Sequence, residues 1–380
     1  MYFATWVTDV EGMPDEALSY TIAAAMVVVI LANPWIGAKT DQAPRRIPYL
    51  AATTVVAVTA TALLTTLPVG WSLAVYGMAL IGFNLGSVVY DAILPDVSTP
   101  ENRGRISGIG IGVGYFGSFV AVIIGRTVLD GLDLGYPALF RSLALAFLVF
   151  SIPTFIFVRE RPRSRPTQRA PSWRDGFRQL LISWKRASQY PGLTRFLVGR
   201  FFYSDAINTM IGGFLAVFVV EEIGFTREEM EVLLAGAIVG AMIGGFGGGR
   251  LVDRLGPQRV LHTALYLWII GMGLGILAAE LDLPQLGWSL GVIGGIALGA
   301  TWAADRVYMV RLSPPESIGE FYGLYGMVGR FATVLGPITW GVIVNRLELG
   351  RSVAVGVLIG FIVVARIVLH RIDLDSSPHG

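Results

Sequence analysis

The sequence predicts an all-α polytopic membrane protein made of two similar halves, and three observations carry that prediction. Hydrophobic residues are 54% of the 380 against 15% charged, with a mean hydropathy of +0.63, a balance far outside the range of a soluble domain of this length. The apolar residues gather into stretches of about 20, the length that crosses the hydrocarbon layer. The chain also repeats itself: Ser98, Pro100, Glu101, Gly104, Gly108 and Gly114 recur 215 residues later as Ser313, Pro315, Glu316, Gly319, Gly323 and Gly329.

Eleven spans are expected, at 17–37, 47–67, 72–94, 107–128, 137–158, 194–221, 229–250, 259–280, 287–309, 319–345 and 351–371. They must be helices, because backbone amides in lipid have no water to bond and nothing here shows the short alternation of a barrel strand. An odd count in a two-half design is explained by a second repeat, in which Gly37 to Asp41 matches Gly249 to Asp253 at an offset of 212. The same shift places Met1 to Thr8 on Gly213 to Val220, the end of the span that begins at Thr194. The first helix is therefore expected to be largely missing, through a misassigned or clipped start. The boundaries expected are 1–158 for the N-terminal half, 159–193 for a linker, 194–371 for a six-helix C-terminal half and 372–380 for a tail.

Basic residues set the orientation. Lys39, Arg45, Arg46, Arg103, Arg105, the run Arg159, Arg161, Arg163, Arg165 and Arg169, and then Arg254, Arg259 and Arg311 all fall on one side, the cytoplasm. Loops of the other face carry mainly acids, among them Asp130, Asp133, Glu221, Glu222 and Asp282. In the linker Phe177, Leu180, Leu181 and Trp184 recur at helical spacing among Arg174, Arg178, Lys185 and Arg186, the pattern of a helix lying in the cytoplasmic interface.

With no Cys and three scattered His, thiol and metal chemistry lack their ligands, and no cofactor is expected. Gly112 to Gly117 fits a dinucleotide fingerprint on paper but lies inside an apolar span with no strand before it. Those glycines, like Gly244 to Gly249, make small faces on which helices approach closely.

Two halves, a basic middle loop and a Gly-x-x-x-Asp signature after the second helix position of each half resemble the major facilitator superfamily. More narrowly, Tyr90 to Asp96, Pro100 to Gly108, Gly114 to Gly117, Tyr203-Ser204-Asp205, Glu320 to Tyr325 and Leu335-Gly336-Pro337 resemble the vacuole effluxer family. Fungal members of that family release amino acids from the vacuole during autophagy. The resemblance implies a major facilitator fold of two pseudo-symmetric six-helix halves. It departs from pattern at Gln42-Ala43-Pro44, whereas Asp253-Arg254-Leu255-Gly256 is closer to it.

Two groups of residues stand out physically. An Asp just past a Gly-ended helix can bond the amides at the positive end of a helix in the other half, so Asp41 is expected to face the helix near Gly319, and Asp253 the one near Ser107. Such contacts would form a latch that breaks in alternating access; ordinary loop capping is the alternative. Asp91, Arg103, Arg105, Arg254, Asp305 and Arg306 are expected in the same gate network.

An ionisable group at mid-membrane costs ~2.5–3.5 kcal/mol on insertion scales, and Asp205 and Arg330 each lie about 16 Å into their spans. Arg330 is expected to bind a substrate carboxylate or pair with Asp205, and Asp205 to bind a substrate amine or carry a proton; a fixed structural ion pair is the alternative. Asn208 shares a helix face with Asp205, and Asn84 and Tyr115 are expected to meet them from the first half.

The reading is a multi-pass secondary transporter, not an enzyme, that moves a small solute through the prokaryotic plasma membrane. By resemblance the solute is an exported amino acid. A proton-coupled exporter of another small molecule or drug remains open, as does a non-transporting receptor or degenerate paralogue. Partners expected are the solute, a coupling proton and the lipid bilayer, with no nucleic acid, and the protein is expected to be a monomer.

Overall fold

The computed structural model describes residues 2–160, 176–370 and 372. Arg161, Arg163, Arg165, Arg169, Arg174 and nearly all of the tail lie outside them. The long helices are α1 (Asp15–Asp41), α2 (Ile47–Leu63), α3 (Val69–Ala92), α4 (Arg103–Gly125), α5 (Gly135–Phe157), α6 (Gly176–Ala187), α7 (Pro191–Thr209), α8 (Arg227–Leu255), α9 (Pro257–Glu280), α10 (Pro284–Leu312), α11 (Ile318–Phe331), the short α12 (Leu335–Gly341) and α13 (Arg351–His370).

Among the described residues ten helical stretches are long and apolar enough to cross a membrane, against the eleven expected. The difference is α2, which has 17 residues because the backbone turns extended at Leu64 and left-handed at Thr65. At 1.5 Å per residue it measures about 26 Å, the short end of what spans a bilayer.

Two spans expected to be continuous are interrupted. The span 319–345 breaks at Ala332–Val334 between α11 and α12. Pro337 explains the break: it has no N–H and its ring collides with the carbonyl four residues back, at Thr333. The α7 span passes into a π turn at Met210–Phe214, where Gly213 takes a φ of 128° open only to glycine, and then continues as Leu215–Glu221.

The helices sort into two units. One comprises Met1–Val97, Gly117–Trp184 and Glu316–Met327, the other Ser98–Phe116, Lys185–Pro315 and Val328–Gly380. In the first, α3 packs on α1 and α2, and α2 on α5. The N-terminal turns are anchored there by Phe3, Trp6 and Val7, which pack against Ala60, Leu73 and Phe140, with Phe3 stacked 4.4 Å from Tyr76. In the second unit α10 packs on α8 and α9, and α13 on α7 and α9. The first-unit segment Glu316–Met327 and the second-unit segment Ser98–Phe116 are each drawn from the opposite half of the repeat, so Asp41 and the start of α11 share one unit, and Asp253 and the start of α4 the other.

Candidate functional site

Asp41 and Asp253 hold equivalent places in the repeat and make equivalent contacts. Asp41 accepts from the backbone N–H groups of Gly319 (2.8 Å) and Glu320 (2.7 Å) at the start of α11. Asp253 accepts from those of Gly104 (2.6 Å) and Arg105 (2.8 Å) at the start of α4. A helix N-terminus has unsatisfied donors and a partial positive charge, so a carboxylate there is bonded twice and stabilised by the dipole. The approach requires glycine: a β-carbon at Gly104 would lie 2.6 Å from Asp253 Oδ1, and one at Gly319 2.6 Å from Asp41 Oδ1.

The contacts of Asp253 can be probed directly. The chain has no cysteine, so Ser107→Cys, at a buried position whose hydroxyl donates to the Ala303 carbonyl, gives a clean reporter beneath it. Adding Gly104→Ala displaces Asp253 and removes hydrogen bonds to a charged group worth about 1.5–3 kcal/mol. Alkylation of Cys at 107 is expected to rise about tenfold or more; an unchanged rate would show that Asp253 holds nothing shut.

The contacts around Asp41 involve more partners than those around Asp253. Arg46 is ion-paired to Asp41, donates to the Ala92 carbonyl at 2.6 Å and lies 3.6 Å from Asp96. Glu160, at the start of the linker, accepts from the backbone N–H groups of Arg46 and Ile47. Ser183 on α6 donates to Glu320 at 2.6 Å, so both ends of the linker reach residues bonded to Asp41. The repeat equivalents of Arg46 and Asp96 are Gln258 and Arg311, which cannot form that ion pair; Gln258 bonds the Ile372 carbonyl instead.

The other residues expected at the gate divide. Arg105 contributes its backbone amide, Arg103 donates to Ser98 at 3.3 Å, Arg254 is exposed and Asp91 half-buried. Asp305 does not sit at the latch. It is fully buried, ion-paired to Arg200 and bonded at 2.8 Å by the Tyr203 hydroxyl, because α7 and α10 pack within one unit. Arg306 is buried beside it in sequence. The Arg200 guanidinium lies over the Trp302 ring, 5.5 Å from its centroid. Sequence reasoning missed Arg200, although the argument that singled out Asp205 applies equally to an Arg five residues before it in the same apolar span.

Asp205 is fully buried, about 21 Å into α7. Among the described residues neither carboxylate oxygen has a hydrogen-bond partner, and Asp205 is not paired with Arg330, which removes the fixed ion pair between them. The amides of Leu335 and Gly336, where the helix resumes after its break, face the carboxylate without aligned hydrogen bonds. A β-carbon at Gly336 would sit 3.0 Å from Asp205 Oδ2, and the buried Thr209 hydroxyl faces the same point, also without a partner. Two interrupted helices thus meet at an unneutralised carboxylate, the kind of place where discontinuous transmembrane helices hold solutes and coupling ions. Asn208 and Arg330 are half-buried on the same two spans. Asn84 belongs to the other unit, where its amide nitrogen donates to the Leu80 carbonyl at 2.7 Å and its oxygen is unpaired.

Comparison with known proteins gives the same architecture. The human organic anion transporter MFSD10 (TETRAN) superposes with a TM-score of 0.75 at 17% identity, covering 96% of this chain and 88% of that one. A bacterial homologue of the iron transporter ferroportin, in an outward-facing state, gives 0.69 at 16% identity, covering 97% and 93%. In sequence, a protein of Bacillus subtilis described as an uncharacterized MFS-type transporter, YxiO, is 26% identical over 372 residues, 95% of this chain and 85% of that protein. Autophagy-related protein 22-2 of Aspergillus clavatus is 26% identical over 268 residues, 64% of this chain but only 43% of its own length. The fold is that of major facilitator transporters, and the protein is a multi-pass membrane transporter rather than an enzyme. The family model described as vacuole effluxer Atg22 like matches residues 16–379, and the chain belongs to that family.

Proposed function

We propose that the chain exports an amino acid across a prokaryotic plasma membrane by alternating access, with Asp205 receiving the α-amine and Arg330 the α-carboxylate. One observation carries the reading: a fully buried carboxylate with no hydrogen-bond partner, at the junction of two interrupted helices. Such a group is costly in lipid unless something neutralises it, and a zwitterionic solute supplies the cation at Asp205 together with an anion for Arg330. Asn208 and Tyr115 would line the same cavity. The latches at Asp41 and Asp253 hold the cytoplasmic side shut and break when it opens.

A second reading rests on the absence, among the described residues, of any charged side chain interacting with Asp205: the neutralising group is a proton and the solute another small molecule. Counterflow of labelled leucine and tyrosine in proteoliposomes separates the two. Exchange that is independent of an imposed pH gradient supports the amino-acid reading. If neither amino acid exchanges while a pH gradient still drives flux of some other solute, the proton reading replaces it.

A further inference from the structure

We propose that the ends of α9 and α13 assigned to the cytoplasmic side form a binding site for the phosphate headgroup of an anionic phospholipid, outside the transport path. On α13 the Arg366 guanidinium carbon lies 3.2 Å from the ring centroid of Tyr266 on α9. One turn nearer the end, the rings of His262 and His370 are 6.4 Å apart. Arg259 is exposed on the α9 face that carries His262 and Tyr266, at the spacing that aligns residues along a helix. The two helices pack on each other directly. Among the described residues no carboxylate pairs with Arg259, His262, Arg366 or His370, and the buried Arg366 Nε has no partner.

The surroundings say what the missing anion is. Ile270 and Val363, deeper along the same helices, and Ile367, beside Arg366, are 50%, 39% and 57% exposed, which in a transmembrane helix means exposed to acyl chains. His262 lies about 8 Å from the start of α9 and Arg366 about 6 Å from the end of α13, the depth of the interface between headgroups and acyl chains. A free arginine there would extend its head toward water. Arg366 is instead held against Tyr266, leaving a guanidinium and two imidazoles grouped below an apolar surface. Phosphate matches the planar donors of arginine, and a phospholipid alone places a phosphate at that depth with its chains along Ile270 and Ile367. Basic clusters between transmembrane helices on the cytoplasmic side bind anionic headgroups for this reason.

The test uses the full chain purified in detergent. Dioleoyl phosphatidylglycerol, dioleoyl phosphatidylcholine or inorganic phosphate is added, bound lipid is counted by native mass spectrometry, and the apparent Tm is recorded. Phosphatidylglycerol is expected to be retained and to raise Tm where phosphatidylcholine and inorganic phosphate do not. Arg366→Gln is expected to lower its retention about fivefold, as is His370→Gln, which lies on the exposed surface and spares the fold if Arg366→Gln does not. Arg227→Gln, exposed at the start of α8, should bind as the unaltered chain does. Retention by both Arg366→Gln and His370→Gln equal to that of the unaltered chain overturns the site, and a Tm rise with inorganic phosphate alone overturns the assignment to a lipid.

Discussion

Asp205→Asn is expected to fold, to equal or exceed the parent in thermal stability, and to lose counterflow by about 100-fold. The two effects have one cause. The parent keeps a carboxylate in a place where no side chain among the described residues neutralises it, at a cost of ~2.5–3.5 kcal/mol on insertion scales. Asn has the same shape without the charge, so the folded state is relieved of that cost. The solute or proton that offset it loses the same driving force, and at 1.36 kcal/mol per tenfold this is roughly two orders of magnitude in rate. A more stable protein that no longer transports is the ordinary outcome where a strained group serves function. Counterflow with apparent Tm on the same preparation checks both halves, and wild-type flux in Asp205→Asn would remove Asp205 from the transport site under either reading.

Arg200→Met is expected to destabilise the fold strongly. Arg200 and Asp305 are buried together, 6% and 0% exposed, and Asp305 also holds the Tyr203 hydroxyl at 2.8 Å. Removing the guanidinium leaves an uncompensated charge in the second unit, at about 3–5 kcal/mol for breaking one side of a buried pair. The double variant Arg200→Met/Asp305→Leu removes both charges and is expected to recover most of the loss, because well-packed apolar residues replace a buried pair at little cost. The measurement is the apparent Tm and the monodisperse fraction of the single and double variants in detergent. If the single variant is as stable as the parent, the triad is not a structural tie; if the double variant is no better than the single one, the loss comes from packing rather than from charge.

Much of the architecture was legible because the bilayer leaves few choices. Runs of about 20 apolar residues must be helices, and two motifs each repeated once, at offsets of 212 and 215, must occupy equivalent places. The partners of Asp41 and Asp253 could be read for the same reason, since a pseudo-symmetric fold pairs the loop of one half with the helix start of the other. The identity of the charged partners inside the bundle was not legible. Asp305 lies seven residues from the end of α10 and reads as a gate residue until α7 brings Arg200 and Tyr203 against it.

Sequence by itself thus determined the helical class, most of the spans, the repeat, the carboxylates that cap helix starts at Asp41 and Asp253, and the deep position of Asp205, because each follows from hydropathy, spacing or symmetry along one chain. Tertiary structure alone decided that Asp205 stands apart from Arg330, that Arg200 takes Asp305, and that the linker reaches the residues around Asp41 through Glu160 and Ser183. These contacts join residues about 100 or more apart in sequence. Their energies depend on which helix faces pack and on where Pro337 and Gly213 interrupt them, geometry that local pattern does not encode.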